Sequence, residues 1–110
     1  MKIQVIMCPA EREPYVCWVQ KSIDAMEKLV GGHIFTEKLT EKTIIAYHVE
    51  LRNVILPENN SLPVSGFLGD CFLCGVEGDQ LVSLDEETKR ALLRSCMDRW
   101  NSLWEEKHGN

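Results

Sequence analysis

Phe67-Leu68-Gly69-Asp70-Cys71-Phe72-Leu73-Cys74-Gly75-Val76 is the most apolar stretch of the chain, and its reading decides the fold class. A run of this length, apolar throughout and punctuated by glycine, reads as a strand covered on both faces, hence a central one. Gly69 and Gly75 predict a bulge or a close backbone approach. A central strand needs neighbours, and the preceding sequence supplies them. Lys2 to Cys8 alternates and is rich in Ile and Val until Pro9 stops it. Tyr15-Val16-Cys17-Trp18-Val19 follows a polar turn and forms a hairpin with it. His33 to Leu39 and Thr43 to Leu51 alternate as two more strands, joined around Thr40-Glu41-Lys42. Val54-Ile55-Leu56 reads as a short further strand, and Gly78-Asp79 turns the chain toward Gln80-Leu81-Val82.

Two segments carry helical periodicity instead. Ser22 is placed as an N-cap, with Ile23, Met26, Leu29 and Val30 on one face and Gly31-Gly32 as the stop. Ser83-Leu84-Asp85-Glu86 fits a capping box, the Ser83 hydroxyl and Glu86 carboxylate each taking an orphan backbone donor. From there to about Glu106 no Gly or Pro intervenes, and Leu92, Leu93, Cys96, Met97, Trp100, Leu103 and Trp104 follow i, i+3, i+4 spacing. At 1.5 Å per residue such a helix runs roughly 33 Å, so its last turns are expected to overhang a small sheet. The expected architecture is α+β: an antiparallel or mixed sheet of about five or six strands, one short helix and one long C-terminal amphipathic helix. A single domain spans 1–110, with its core at about 2–95 and a helical extension at about 96–106.

Charge narrows the partners. The 110 residues carry a net charge of −5, and residues 33–84 alone hold seven acids against three bases. A nucleic-acid binder shows the reverse, a basic stripe that displaces counterions, so nucleic acid is not expected as a partner. No apolar run approaches the ~20 residues of a membrane helix, so no membrane partner is expected either. The opening Met1 to Pro9 is too short for a secretory signal, which places the chain in the cytoplasm with its cysteines reduced. Five cysteines is an odd number, so at least one thiol stays free or pairs between chains.

The residues that could carry chemistry do not assemble into a catalytic motif. Cys71-Phe72-Leu73-Cys74 is a CxxC, but on a strand residues three apart point to opposite faces. Redox pairs sit at helix N-termini and zinc sites need a second pair, so no metal and no cofactor are expected. Cys17 with His48 is the one nucleophile–base pairing worth testing. Glu86-Glu87 suits a helix N-terminus, Glu105-Glu106 implies solvent, and no phosphate loop is present. The chain is therefore expected not to be an enzyme, and a small thiol-dependent enzyme is the least favoured alternative. A site for a small anionic ligand would combine Arg with aromatic faces, and Arg12, Tyr15, Trp18, Tyr47 and Arg52 are the residues of that kind. Trp100, Leu103 and Trp104 form an apolar end to the long helix and are expected to meet either the sheet or a second chain, as in a homo-oligomer.

The order and spacing of several motifs resemble one family, the bacterial and phage proteins grouped as domain of unknown function 3846. The resemblance is carried by the opening strand, Leu29-Val30-Gly31-Gly32-His33-Ile34, the loop Leu56-Pro57-Glu58-Asn59, Gly66 to Gly75, and Val82-Ser83-Leu84-Asp85-Glu86 leading into a helix. It covers roughly residues 2–95, and it adds Asn59 to the ligand-site residues. It implies a small accessory protein of phages, plasmids or conjugative elements. The expected function is a non-catalytic binding protein that blunts a host defence by sequestering a small signalling nucleotide. Its alternative is direct blockade of a host defence protein. Sequestration predicts a preformed pocket between subunits, with converging Arg and aromatic side chains; blockade predicts no deep pocket but an exposed apolar or acidic patch.

Overall fold

Ile3, Val5 and Met7 alternate with Gln4, Ile6 and Cys8 along β1 (Lys2–Cys8), and apolar side chains from both sets are buried. Burial on two faces marks an interior strand. In a computed structural model, which describes residues 1–49 and 55–108, β1 lies between β2 (Tyr15–Gln20) and the later strand spanning Cys71–Glu77. The remaining elements follow in chain order: α1 (Ile23–Val30), β3 (Ile34–Thr40), β4 (Thr43–His48), β5 (Cys71–Glu77), β6 (Gln80–Val82) and α2 (Glu86–His108). The strands form one antiparallel six-stranded sheet in the order β2-β1-β5-β4-β3. β1 covers Cys71–Leu73 of β5, and β6 pairs with Gly75–Glu77 beyond it. The architecture is α+β with one short and one long C-terminal helix.

Two apolar layers sandwich the sheet because the pleat sends alternate residues to opposite faces. On one face Ile3, Val5, Met7, Ile44, Phe72 and Cys74 pack with Met26 and Val30 of α1. On the other, Ile6, Cys8, Ile45, Cys71 and Leu73 pack with Leu62, Leu84 and Cys96. Each fully buried Ile, Leu or Phe contributes roughly 1.5–3 kcal/mol against exposure, so each face forms a core of its own. The CxxC is split between them as the strand pleat requires, Cys71 on one face and Cys74 on the other.

α1 starts as expected, with Ser22 Oγ accepting the Ala25 N–H at 3.2 Å, and ends at Gly31 in the left-handed region (φ 92°). α2 begins differently. Asp85, not Ser83, caps it: Asp85 Oδ1 accepts the Thr88 N–H at 2.8 Å and Oδ2 accepts the Thr88 hydroxyl at 2.7 Å. Glu86 is already helical and pairs with Lys89 at 2.7 Å. The Ser83 hydroxyl instead accepts the N–H of Gln4 at 2.8 Å. Along α2 the residue that is fully buried, among the described residues, is Cys96.

Three strand boundaries need correction. The apolar stretch is strand from Cys71 only, because Gly66 (φ 101°) and Gly69 (φ 74°) adopt left-handed turns that a ladder does not tolerate. Phe67 and Leu68 belong to a loop, where Leu68 makes an isolated bridge to Glu58. β4 stops at His48, and Ile55-Leu56 is not strand. Leu51, Val54 and the ligand-site residue Arg52 lie outside the described residues, as does the Trp104 side chain. No helix among the described residues is long and apolar enough to cross a membrane.

Candidate functional site

β4 ends on His48, opposite Ile34 of β3, and there three glycines close around the imidazole. A Cβ on Gly32 would stand 2.7 Å from His48 Cδ2; one on Gly69 would stand 3.6 Å from Cε1, and one on Gly31 3.8 Å from it. The helix stop after α1 and the glycine turn before β5 therefore converge on one side chain. His48 is 8% exposed, and its Nδ1 has no hydrogen-bond partner among the described residues. Buried polar atoms are normally satisfied, so an orphan of this kind needs an explanation.

His48 and Leu56 form a wall shared by two cavities. The first, about 590 Å³, is lined by Tyr47, Leu56, Phe67 and Leu68, together with Glu37. Tyr47 stacks on Phe35 at 6.0 Å and meets Phe67 edge-on at 5.1 Å, so its ring is held in a fixed aromatic row. The second cavity, about 530 Å³, is more polar and is lined by Arg12, Pro57, Gly31 and Asp70. Asp70 Oδ1 already accepts the Ala10 N–H at 2.9 Å, which ties the β1–β2 loop bearing Arg12 to the start of β5.

The residues expected from sequence divide between these features. Tyr47 lines the aromatic cavity and Arg12 the polar one, joined at His48. Tyr15 and Trp18 stand on β2, three strands away from β4, about 14 Å at the usual strand spacing, and do not join them. Asn59 holds the chain to itself. It is 3% exposed, and its Nδ2 donates to the carbonyls of Cys8 (2.7 Å) and Gly69 (2.9 Å). Its Oδ1 accepts from the backbone N–H groups of Ser61 (3.2 Å) and Leu62 (3.3 Å). Both amide hydrogens are used, so Asn59 fastens the loop under the cleft and offers no donor to a ligand. Trp100 and Leu103 are half-buried on α2.

From the sequence His48 stands out only as a partner for Cys17. The missed signal was the second glycine at the helix stop: Gly31 alone supplies the left-handed cap, so Gly32 must answer a close approach.

The thiols are held apart from this cleft. β1 and β5 separate Cys17 on β2 from His48 on β4, so that nucleophile–base pair is not assembled. Burial pushes Cys71 and Cys74 up to about 12, the Asp70 charge adding to Cys71, and burial raises Cys17 as well. Cys8 and Cys96 bring their Sγ atoms to 3.9 Å. The hydrogen bond to Cys96 and burial raise Cys8, whereas the Cys8 thiol and the Arg99 charge favour ionisation of Cys96. Among the described residues no group of three or more His, Cys, Asp or Glu side chains is placed to hold a metal ion.

No curated protein and no solved structure matches the chain. Residues 1–99 match the family model described as Domain of unknown function (DUF3846), a span that takes in both cavities, His48 and the glycines around it, and the chain belongs to that family.

Proposed function

We propose that the chain is a non-catalytic binding protein that sequesters a small nucleotide-like ligand in the two-part cleft around His48. The observation that carries this reading is the place of His48, whose buried Nδ1 has no partner among the described residues, on the wall between an aromatic cavity and a polar one. A nucleotide has the matching division. Its base is planar and stacks on aromatic rings such as Tyr47 and Phe67, and its phosphate takes a guanidinium such as Arg12. A turn of the His48 ring on binding would bring the orphaned nitrogen to a base edge or ribose hydroxyl, a bond that an apolar ligand would not supply. In a phage or mobile element, which the family resemblance implies, removing a signalling nucleotide would blunt a host defence.

A thermal-shift screen with cyclic and ADP-ribose-type nucleotides tests this. A ligand bound only by the native state at a hundred times its Kd stabilises by about 2.7 kcal/mol. A nucleotide that raises Tm for the native chain but not for His48→Ala or Tyr47→Ala supports the reading. No shift with any nucleotide overturns it. The second reading, direct blockade of a host protein, is favoured by the exposed Phe35, Val49, Ile55 and Leu68 at and beside the aromatic cavity. Those rim residues would then matter more than His48.

A further inference from the structure

The two edges of the sheet are protected to different degrees. β3 carries Glu37 and Lys38 and a register shift between Lys38 and Thr40, devices that discourage a further strand from pairing. β2 has neither. Its six residues, Tyr-Val-Cys-Trp-Val-Gln, include no charge, its pairing with β1 runs without a break, and Trp18 (60% exposed) and Tyr15 (41%) stand open to solvent. Among the described residues no strand pairs with its outer side. An uncharged, regularly paired edge with exposed aromatic side chains is the form natural sheets avoid unless something covers it.

We infer that a second copy of this chain covers it, β2 pairing antiparallel with β2 across a two-fold axis centred on Cys17. Three independent features select this arrangement. The first is the direction of the backbone groups. Lys21 N–H donates to Met1 O at 2.8 Å, so Lys21 points toward β1, and by alternation so do Val19, Cys17 and Tyr15. Val16, Trp18 and Gln20 therefore present their N–H and C=O groups outward. A two-fold at Cys17 sets Val16 opposite Trp18 of the second copy, and both residues of each such pair face one another with bonds to exchange. The second is side-chain matching: Trp18 lies over Val16 of the second copy, and Tyr15 over Val19, the aromatic–β-branched pairs that stabilise sheets. The third is charge. The same register brings Glu13, just before the strand, opposite Lys21 of the second copy, just after it, and the axis repeats that pair at the other end. A shift of the axis to Trp18 keeps the backbone parity but loses the Glu13–Lys21 match.

The centre of the arrangement also accounts for the odd cysteine. Cys17 is the one thiol of the five that is not fully buried, and it would meet its own copy at a non-hydrogen-bonded pair. Opposed Cα atoms at such a position lie about 4.5 Å apart, within the range a disulfide spans. With a diazene oxidant such as diamide, two Cys17 thiols give up two protons and two electrons. One S–S bond forms and the diazene becomes the hydrazine.

The test is made on the full chain by sedimentation and by diamide crosslinking followed by peptide mapping. The expected result is a dimer whose oxidised form carries a Cys17–Cys17 link, absent in Cys17→Ser. Trp18→Lys weakens association about a hundredfold, as loss of a central aromatic contact does, with the circular dichroism of the monomer unchanged. Glu13→Lys or Lys21→Glu alone weakens it about threefold or more, and the double reversal restores it. A chain that stays monomeric at its highest soluble concentration overturns the inference, as does a dimer that survives Trp18→Lys. Single reversals that the double reversal does not rescue overturn the Cys17-centred register.

Discussion

The Ser83 hydroxyl accepts the backbone N–H of Gln4 at 2.8 Å, and Leu84 N–H donates to Gln4 O at 3.3 Å. The chain after β6 thus continues along the part of β1 that β5 leaves unpaired, and the residue whose sequence context marks it as a helix cap serves the sheet instead. Ser83→Ala should cost about 0.5–1.5 kcal/mol, the net worth of one hydrogen bond, without loss of helix content. Urea unfolding followed at 222 nm measures both, and a drop in native ellipticity would return Ser83 to the helix.

The cap itself is Asp85, and its effect should depend on pH. Hydrogen bonds from Thr88 hold its carboxyl below the ordinary value of 3.8, so the folded state prefers it ionised. A depressed folded pKa gives stability that is present above the unfolded value and lost as pH falls through the folded one. Asp85→Asn, which keeps a capping oxygen but removes the charge, should therefore flatten the acid limb of the Tm–pH curve below about pH 4. An acid limb identical to that of the parent chain would contradict this assignment.

At alkaline pH the sign reverses. Cys71 and Cys74 are raised from 9.0 to about 12 because each sits in one of the two apolar layers. The unfolded chain releases these protons first, so stability should be intact below pH 9 and fall between pH 9 and about 12. Replacing Cys74 with Ala should lower stability at pH 7 yet make the loss across that window shallower. Equal slopes in the two proteins would show that other groups govern alkaline unfolding.

Much of this architecture was legible because period-2 and period-3.6 patterns depend on residue type alone. The three hairpins and the split of the CxxC across the sheet follow from alternation, and both helices from the 3.6-residue period. The start of β5 did not, because Phe67 and Leu68 are as apolar as a strand requires. Their apolarity serves the Tyr47 cavity instead, and only the left-handed φ of Gly66 and Gly69 separates the two roles. The cleft was the least legible feature. Arg12, the Tyr47-His48 pair and Phe67 come from three segments, and no local spacing records that they meet. Leu62 was hidden for a related reason. It lies among Pro, Asn and Ser that read as loop chemistry, yet it is fully buried beneath Asn59.

That loop should therefore behave as core. Leu62→Ala should cost about 2–5 kcal/mol, as much as truncating a strand residue such as Leu73. Asn59→Ala should cost about 2–4 kcal/mol, since it strands the carbonyls of Cys8 and Gly69 and two backbone donors. Effects below about 0.5 kcal/mol, the range of ordinary surface changes, would show that the loop is not part of the folded unit.

Gly32 separates packing from binding at the cleft. Its backbone is not in the left-handed region, so alanine is conformationally acceptable there, but the new Cβ would lie 2.7 Å from His48 Cδ2. The imidazole is the part that can give way, because Gly32 is fixed between α1 and β3. Gly32→Ala should therefore swing His48 out of the wall between the two cavities at a stability cost of about 1–3 kcal/mol. Any nucleotide that stabilises the parent chain should lose most of its thermal shift in this variant. Gly75→Ala is the matched control: its Cβ would meet Ser83 O at 2.9 Å, a backbone atom far along β5 from His48. It should destabilise to a similar degree yet leave the ligand-induced shift intact. If both variants lose the shift in proportion to their stability, His48 has no part of its own in binding.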